Sequence, residues 1–349
     1  MINEESLTTS WYNKLTQDDK NLDRTLLDKV THALYLLEKL TDTNLNFIFK
    51  GGTSLLLLLK EMKRLSIDID IIITEKMTKQ ELSDTLEELI NRSSFTRFEE
   101  QVRNKTSIPK AHFKFFYDSP LGGTEAYVLL DVLFANSPYN NLLTLPIESP
   151  FINTSPPNKT VTIPDIENIL GDKLTAFAPN TTGIPYGKGK EMEIIKQLFD
   201  IESLFDQAVH LPEINKSFIE SAKQELSYRQ LIDSTKPIDV LDDILKTTCI
   251  IGGRGNHEKE TFLLLEDGIR RIKTHIIKRN YIVEEAVVSA AKVAYLVSLM
   301  QTGATTIERF EPSKPLPELV GNPLFKKMAK IKKFSSELKL ESSKIQFIP

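Results

Sequence analysis

Residues 47–73, FIFKGGTSLLLLLKEMKRLSIDIDIII, decide how the chain is organised. Phe47 to Phe49 read as the end of a strand. Gly51 and Gly52 break it, and Thr53 and Ser54 open an apolar helix that Arg64 to Ser66 close. Ile67 to Ile73 is a second strand, in which Asp68 and Asp70 alternate with Ile67, Ile69 and Ile71. Side chains two apart on a strand point the same way, so the aspartates share a face, about 7 Å apart along the strand. Like charges so placed repel, and a divalent cation between them is the simplest remedy. Gly51 and Gly52 allow close backbone approach, and the helix start at Thr53 offers free N–H groups to an anion. A phosphate cradle followed by a metal-binding Asp-x-Asp strand is what a nucleotidyl-transfer site needs.

Outward from this unit, Thr16 with Asp19 looks like a capping box. Leu22, Leu26, Val30, Ala33, Leu37 and Leu40 then recur at helical spacing and predict a helix to about Leu40. On the other side, Thr78 and Glu81 give a second capping-box pattern ahead of Leu82, Leu86, Leu89 and Ile90. Phe95–Val102, His112–Tyr117 and Ala126–Phe134 read as three strands separated by Pro, Gly and Ser. A meander of this kind after one crossover predicts a mixed sheet. From about Ile163 the pattern is helical, with helices expected at 166–177, 192–208, 213–232, 237–249, 259–278 and 284–301. Between the first two lies a loop, Pro179–Lys190, bearing Lys188 and Lys190. PSKPLP at 312–317 reads as a stiff linker, and the lysine-rich FKKMAKIKKF follows.

With 349 residues the chain has room for two or three domains. Its 40% hydrophobic and 26% charged residues are ordinary for a globular protein. A net charge of -4 predicts neither a general nucleic-acid glove nor an acidic tail, although a local basic patch stays open. Cys249 is the single cysteine, so no internal disulfide forms and a reducing compartment is expected. The polar amino terminus does not read as a secretion signal, and no apolar run approaches a membrane span. The expected location is cytoplasmic.

Three further residues bear on chemistry. Asp131 stands alone among apolar residues in VLLDVLF, and a buried aspartate is costly unless paired, hydrogen-bonded or metal-bound. If its strand lies beside the Asp68–Asp70 strand, three carboxylates converge. Asp131 is then a metal ligand or the general base for an attacking hydroxyl. Lys173, in DKLTAFAP, and Asp200, in KQLFDIESLF, flank the buried stripes of two helices. A lysine there supplies a point charge to a triphosphate, and Asp200 holds it in place.

KGGTS, RLSIDID, LLDVLF, DKLTAFAPNTTGIPYGK and IIKQLFDIESLF, in this order, resemble the AbiEii/AbiGii toxin family of nucleotidyltransferases, within the DNA polymerase β-like superfamily. The resemblance covers roughly residues 20–300. It implies an α+β fold: a mixed sheet with flanking helices, followed by a mainly helical C-terminal domain. The expected domains are a nucleotidyltransferase domain at 1–155, a helical domain at 156–311 that completes the active-site cleft, and a linker and tail at 312–349. The resemblance makes Gly51, Gly52, Thr53 and Lys173 nucleotide-binding. It makes Asp68, Asp70 and Asp131 metal ligands, and adds Lys173 and Asp200 as catalytic positions. The gap of fifteen residues between Gly52 and Asp68 is slightly long for the superfamily.

The implied reaction is attack of an acceptor hydroxyl on the α-phosphate of an NTP, with Mg2+ or Mn2+ and release of pyrophosphate. The implied acceptor is a tRNA 3′ end, and the implied partner is a cognate antitoxin, in a toxin–antitoxin or phage-defence pair. The other readings are nucleotidylation of a protein or small molecule, and an inactive module that binds a nucleotide or partner.

Overall fold

The computed structural model describes residues 1–309 other than 21, 62, 102–107, 124, 257 and 278–279. The linker and lysine-rich tail expected from residue 312 onward lie outside the described residues. The chain divides into two compact units: Met1–Asp165 with Thr274–Arg279, and Ile166–Lys273 with the described residues from Asn280.

The first unit opens with helix α1 (Thr9–Asp18) and helix α2 (Arg24–Thr41). Strand β1 (Phe47–Lys50), helix α3 (Gly51–Leu58) and strand β2 (Asp68–Ile73) form the central unit. Helix α4 (Lys79–Asn91) and strands β3 (Arg97–Glu100), β4 (Lys110–Tyr117) and β5 (Ala126–Phe134) follow. Strands β6 (Leu142–Pro146) and β7 (Thr160–Pro164) make a separate antiparallel pair.

The five-stranded sheet has the order β1-β2-β5-β4-β3. Only the β2–β5 pairing is parallel; the other three are antiparallel, which is the mixed sheet expected. One sheet face is apolar. Ile69, Ile71, Val128, Leu130, Val132, Phe113 and Phe115 are buried there, with Leu27, Val30, Leu34 and Leu37 of α2 in the same core. The opposite face carries Asp68, Asp70, Asp131, His112 and Lys114, all half-buried. The alternation along β2, β4 and β5 produces both faces.

One local expectation needs correction. Thr16 lies inside α1, where its hydroxyl donates to the Tyr12 carbonyl, and so it caps nothing. The cap of α2 is Asp23, which accepts from the Leu26 N–H. The β6–β7 pair falls in a stretch to which the sequence pattern assigned no element. At α4 the capping box stands as expected: Thr78 and Glu81 exchange side-chain and backbone hydrogen bonds.

A polar cluster sits inside the first unit around Asp28 of α2, only 2% exposed. Its carboxylate accepts from the Tyr12 and Tyr117 hydroxyls at 3.1 and 3.2 Å and from Ser119 at 2.7 Å. His32 Nδ1 lies 3.1 Å from it, and the His32 ring stacks on Tyr117. Burial pushes the Asp28 pKa up, but the hydrogen bonds from His32, Ser119 and Tyr12 outweigh it and hold the pKa below 3.8. Burial, with the nearby Asp28 charge, raises both tyrosines above 10.0.

The second unit is helical: α5 (Ile166–Ala176), α6 (Glu191–Phe205), α7 (Leu211–Tyr228), α8 (Pro237–Gly253), α9 (Lys259–Arg271) and α10 (Val283–Gln301). Helix α10 is buried along most of its length and packs on α6, α8 and α9, as a helix apolar on nearly every side must. No helix among the described residues is long and apolar enough to cross a membrane.

Candidate active site

Helix α3 begins at Gly51, directly after β1. Gly51 has φ +82°, and a Cβ there would lie 2.1 Å from Asp70 Oδ2. Only glycine suits both the backbone and the carboxylate pressed against it. A Cβ on Gly52 would meet Arg64 Nη2 at 2.7 Å and Ser66 Oγ at 2.8 Å. Both glycines are therefore fixed by charged or polar groups lying on their backbone. The buried Thr53 hydroxyl donates to the Asp68 carbonyl at 2.5 Å and ties the first turn of α3 to β2. Ser54 Oγ donates to the Gly51 carbonyl at 2.8 Å. Thr53 thus spends its side chain on the fold, which leaves its backbone N–H as the group suited to phosphate.

The sheet register sets out the acidic face. Asp70 pairs with Lys50 on one side and with Asp131 on the other, and Asp131 pairs with His112. Lys50, Asp70, Asp131 and His112 thus stand in one row across four strands. Asp68 stands one row along on the same face, opposite Leu129. His112 Nδ1 is 2.7 Å from Asp131 Oδ1, and the Lys50 ammonium lies 5.7 Å from the centre of the Tyr139 ring.

Asp68 and Asp70 offer the hard oxygen donors that Mg2+ or Mn2+ takes, on a half-buried face, with Gly51 leaving room beside Asp70. This pair fits a divalent cation. Asp131 reaches the same row, yet one of its oxygens is engaged by His112. Among the described residues, no three His, Cys, Asp or Glu side chains gather as a metal centre. The register brings the three aspartates to one face without closing them around a point.

Lys173 and Asp200 belong to the helical unit. Lys173 on α5 donates to Asp200 Oδ2 on α6 at 2.7 Å and to Gln197 Oε1 at 3.2 Å. Both are buried, Lys173 at 7% exposure and Asp200 at 1%. The pairing read from the sequence is present, in a drier setting than a helix edge. The loop between these helices is anchored: Asp243 accepts from the Asn180 backbone, the Asn180 amide and the Thr181 hydroxyl. Lys188 and Lys190 are exposed at its end.

Two residues of this surroundings escaped the sequence reading. Arg64 was quoted in RLSIDID only as the close of a helix, although its spacing from Asp68 is local and legible. His112 belonged to five scattered histidines, and only the β4–β5 register reveals its aspartate.

Comparison with known proteins follows the same line. Residues 35–266 match the family described as nucleotidyl transferase AbiEii toxin, type IV TA system. No curated protein matches the chain. Among solved structures it is similar to JHP933 from Helicobacter pylori, at 13% identity and TM-score 0.44, covering 81% of this chain and 94% of that one. It is also similar to an antigenic nucleotidyltransferase-like protein from Paracoccidioides brasiliensis, at 19% identity and TM-score 0.36, covering 60% of this chain and 93% of that one. The family match spans more than half of the sequence and contains every residue of the acidic row, and the chain belongs to the AbiEii nucleotidyltransferase toxin family.

Proposed function

We propose that the chain transfers an NMP from an NTP to an acceptor hydroxyl, with pyrophosphate as the leaving group and a tRNA 3′ end as the acceptor. The observation that carries this reading is the single acidic face at the glycine turn: Asp70 opposite Asp131, with Asp68 beside them. Asp68 and Asp70 would hold Mg2+ or Mn2+. Such an ion, when bound, neutralises charge on the phosphates. The first-turn N–H groups of α3 suit the triphosphate. Asp131 suits the acceptor hydroxyl, whose proton its carboxylate can accept. Lys173, held by Asp200, is the cation that the family resemblance assigns to the reaction. The type IV toxin family supports a cognate antitoxin as partner, and growth arrest in its absence.

The test is incubation of the purified chain with each labelled NTP, MgCl2 and total cell RNA, followed by sequencing of RNA 3′ ends. Added nucleotides on tRNA, absent with Asp68→Asn, support the proposal. Label appearing on protein or a small molecule moves the acceptor. No label in any fraction, with any NTP, sinks the transfer reading.

A further inference from the structure

Tyr127, near the start of β5, is 36% exposed, whereas Phe113, Phe115 and Phe116 of the neighbouring strand are buried. Alternation along β5 places it on the face of Leu129 and Asp131. Two ammoniums are drawn to its ring. That of Lys114, on β4, lies 4.4 Å from the ring centre, and that of Lys29, on α2, lies 5.6 Å from it. The ring quadrupole attracts each cation. Two cations at one ring also repel each other, and an anion between them relieves the repulsion.

No carboxylate supplies that anion. Among the described residues, neither Lys29 nor Lys114 has an ion pair or a hydrogen bond. Glu99 stands opposite Lys114 in the β3–β4 register, yet its carboxylate pairs with Arg97. Glu125, two residues before Tyr127, pairs with Arg97 as well. The Arg97 guanidinium lies 3.5 Å from the Phe116 ring centre, and Phe116 opposes Tyr127 across the two strands. These two acids are thus committed to Arg97, and the lysines keep their charge. Both lysines are half-buried, which limits the ordering that they lose on meeting a ligand.

The strand order puts the glycine turn, Asp68 and Asp70 on the β1–β2 side of β5, and Lys114 on the β4 side. Asp131 stands between them. Tyr127 is four residues from Asp131, about 13 Å along the strand. An acceptor whose hydroxyl meets Asp131 can therefore extend over Lys114 and Tyr127 without crossing the glycine turn. Repeating phosphates suit such a track, because cations beside an exposed aromatic ring are what single-stranded nucleic acid binds.

We propose that Lys29, Lys114 and Tyr127 form a subsite for the sugar–phosphate backbone of a single-stranded RNA acceptor, upstream of the hydroxyl that meets Asp131, an inference that rests on the transfer reading above. The two ammoniums hold phosphates, and the Tyr127 ring keeps them together.

Binding of a short 5′-labelled single-stranded RNA with a free 3′ end is measured across a salt series, on the full chain and on the double variant Lys29→Gln with Lys114→Gln. NTP binding with MgCl2 is followed in parallel by titration calorimetry. The double variant should lose about 10-fold or more in RNA affinity at low salt. Its slope of log affinity against log salt should shrink by roughly 1.4, the share of two phosphates on a single strand. NTP affinity should stay within about 2-fold, since the subsite lies apart from the glycine turn. Lys29→Arg with Lys114→Arg should keep RNA affinity within about 3-fold, because the charge is kept. An unchanged salt slope overturns the proposal, as does an equal loss of NTP affinity. If the double variant does not fold, Lys114→Gln alone decides. A slope smaller by roughly 0.7 supports the subsite, and the wild-type slope overturns it. A wild-type chain that binds NTP but not RNA refutes this inference alone and leaves transfer to another acceptor standing. A wild-type chain that binds no NTP refutes the transfer reading and the acceptor subsite with it.

Discussion

The first unit contains two aspartates that each face a histidine, and their settings differ. Asp28 lies 3.1 Å from His32 Nδ1, and Asp131 lies 2.7 Å from His112 Nδ1. Asp28 is fully enclosed and also accepts from Tyr12, Tyr117 and Ser119. The Asp131 side chain is 31% exposed, on the sheet face that it shares with Asp68 and Asp70. A carboxylate whose oxygens are taken up by hydroxyls from α1, β4 and the following loop binds those elements together. A carboxylate with an open side on a charged face can meet a ligand. The same pair of residue types therefore serves the fold in one place and suits chemistry in the other.

Four experiments can break or sharpen this contrast. The largest effect is expected at the acidic row. Asp70→Asn should lower transfer by about 1000-fold or more, roughly 4 kcal/mol of barrier. The melting temperature without metal should hold or rise slightly, since one of two repelling charges is gone. A normal rate in steady-state transfer kinetics would end the metal assignment of Asp68 and Asp70.

Lys173 and Asp200 ask whether a buried pair can serve both purposes. Lys173→Met should cost about 3–5 kcal/mol in denaturant unfolding, because Asp200 is left charged and dry. The double variant Lys173→Met with Asp200→Met should regain most of that stability. Transfer should stay about 100-fold down in both, the scale of one preorganised electrostatic group. Recovery of activity along with stability would make the pair structural only.

Asp28→Ala should cost about 3 kcal/mol of stability by stranding three hydroxyls and an imidazole. Transfer per folded molecule should stay within about 2-fold, since Asp28 lies on the covered side of the sheet. A large loss of kcat with the fold intact would erase the contrast with Asp131.

The smallest effect is in pH. The Asp28 pKa is depressed in the fold, so its contribution to stability is present above 3.8 and is lost as the pH falls below that value. Tyr12 and Tyr117 are raised, so their contribution is present below 10.0 and is lost as the pH rises beyond it. Between these limits neither Asp28 nor the two tyrosines changes the unfolding free energy. Asp28→Asn should remove the acid-side fall, and an unchanged acid limb would show that other carboxylates govern it.

What the sequence made legible was local. The bounds of β5, the capping box of α4 and the shared face of Asp68 and Asp70 all follow from residues a few positions apart. The parallel neighbour of β2 was a conditional reading, and the Asp70–Asp131 register answers it. What stayed hidden depended on distant pairing. His112 meets Asp131 across two strands, and β6 pairs with β7 in a stretch, 135–162, for which the sequence suggested no element. The start of α2 was misplaced because Thr16 and Asp19 mimic a cap, while Asp23 makes the actual bond. Arg64 was visible but silent, since only its burial against Gly52 gives it meaning.

The return of the 275–277 segment to the first unit, where it braces Arg64, has a consequence for biosynthesis. Leu65 finds the carbonyl of His275, and Lys63 finds the N–H of Ile277, across more than two hundred intervening residues. A ribosome releases the acidic strand and the glycine turn early, but the brace beside them emerges only after α9 has been made. The nascent chain therefore carries Asp68 and Asp70 through most of its synthesis with the Arg64 loop unsupported. A chain interrupted before Thr274 would hold the aspartates and lack the brace, so the loop that leads into β2 gains its backbone partners only once residues 275–277 have been made.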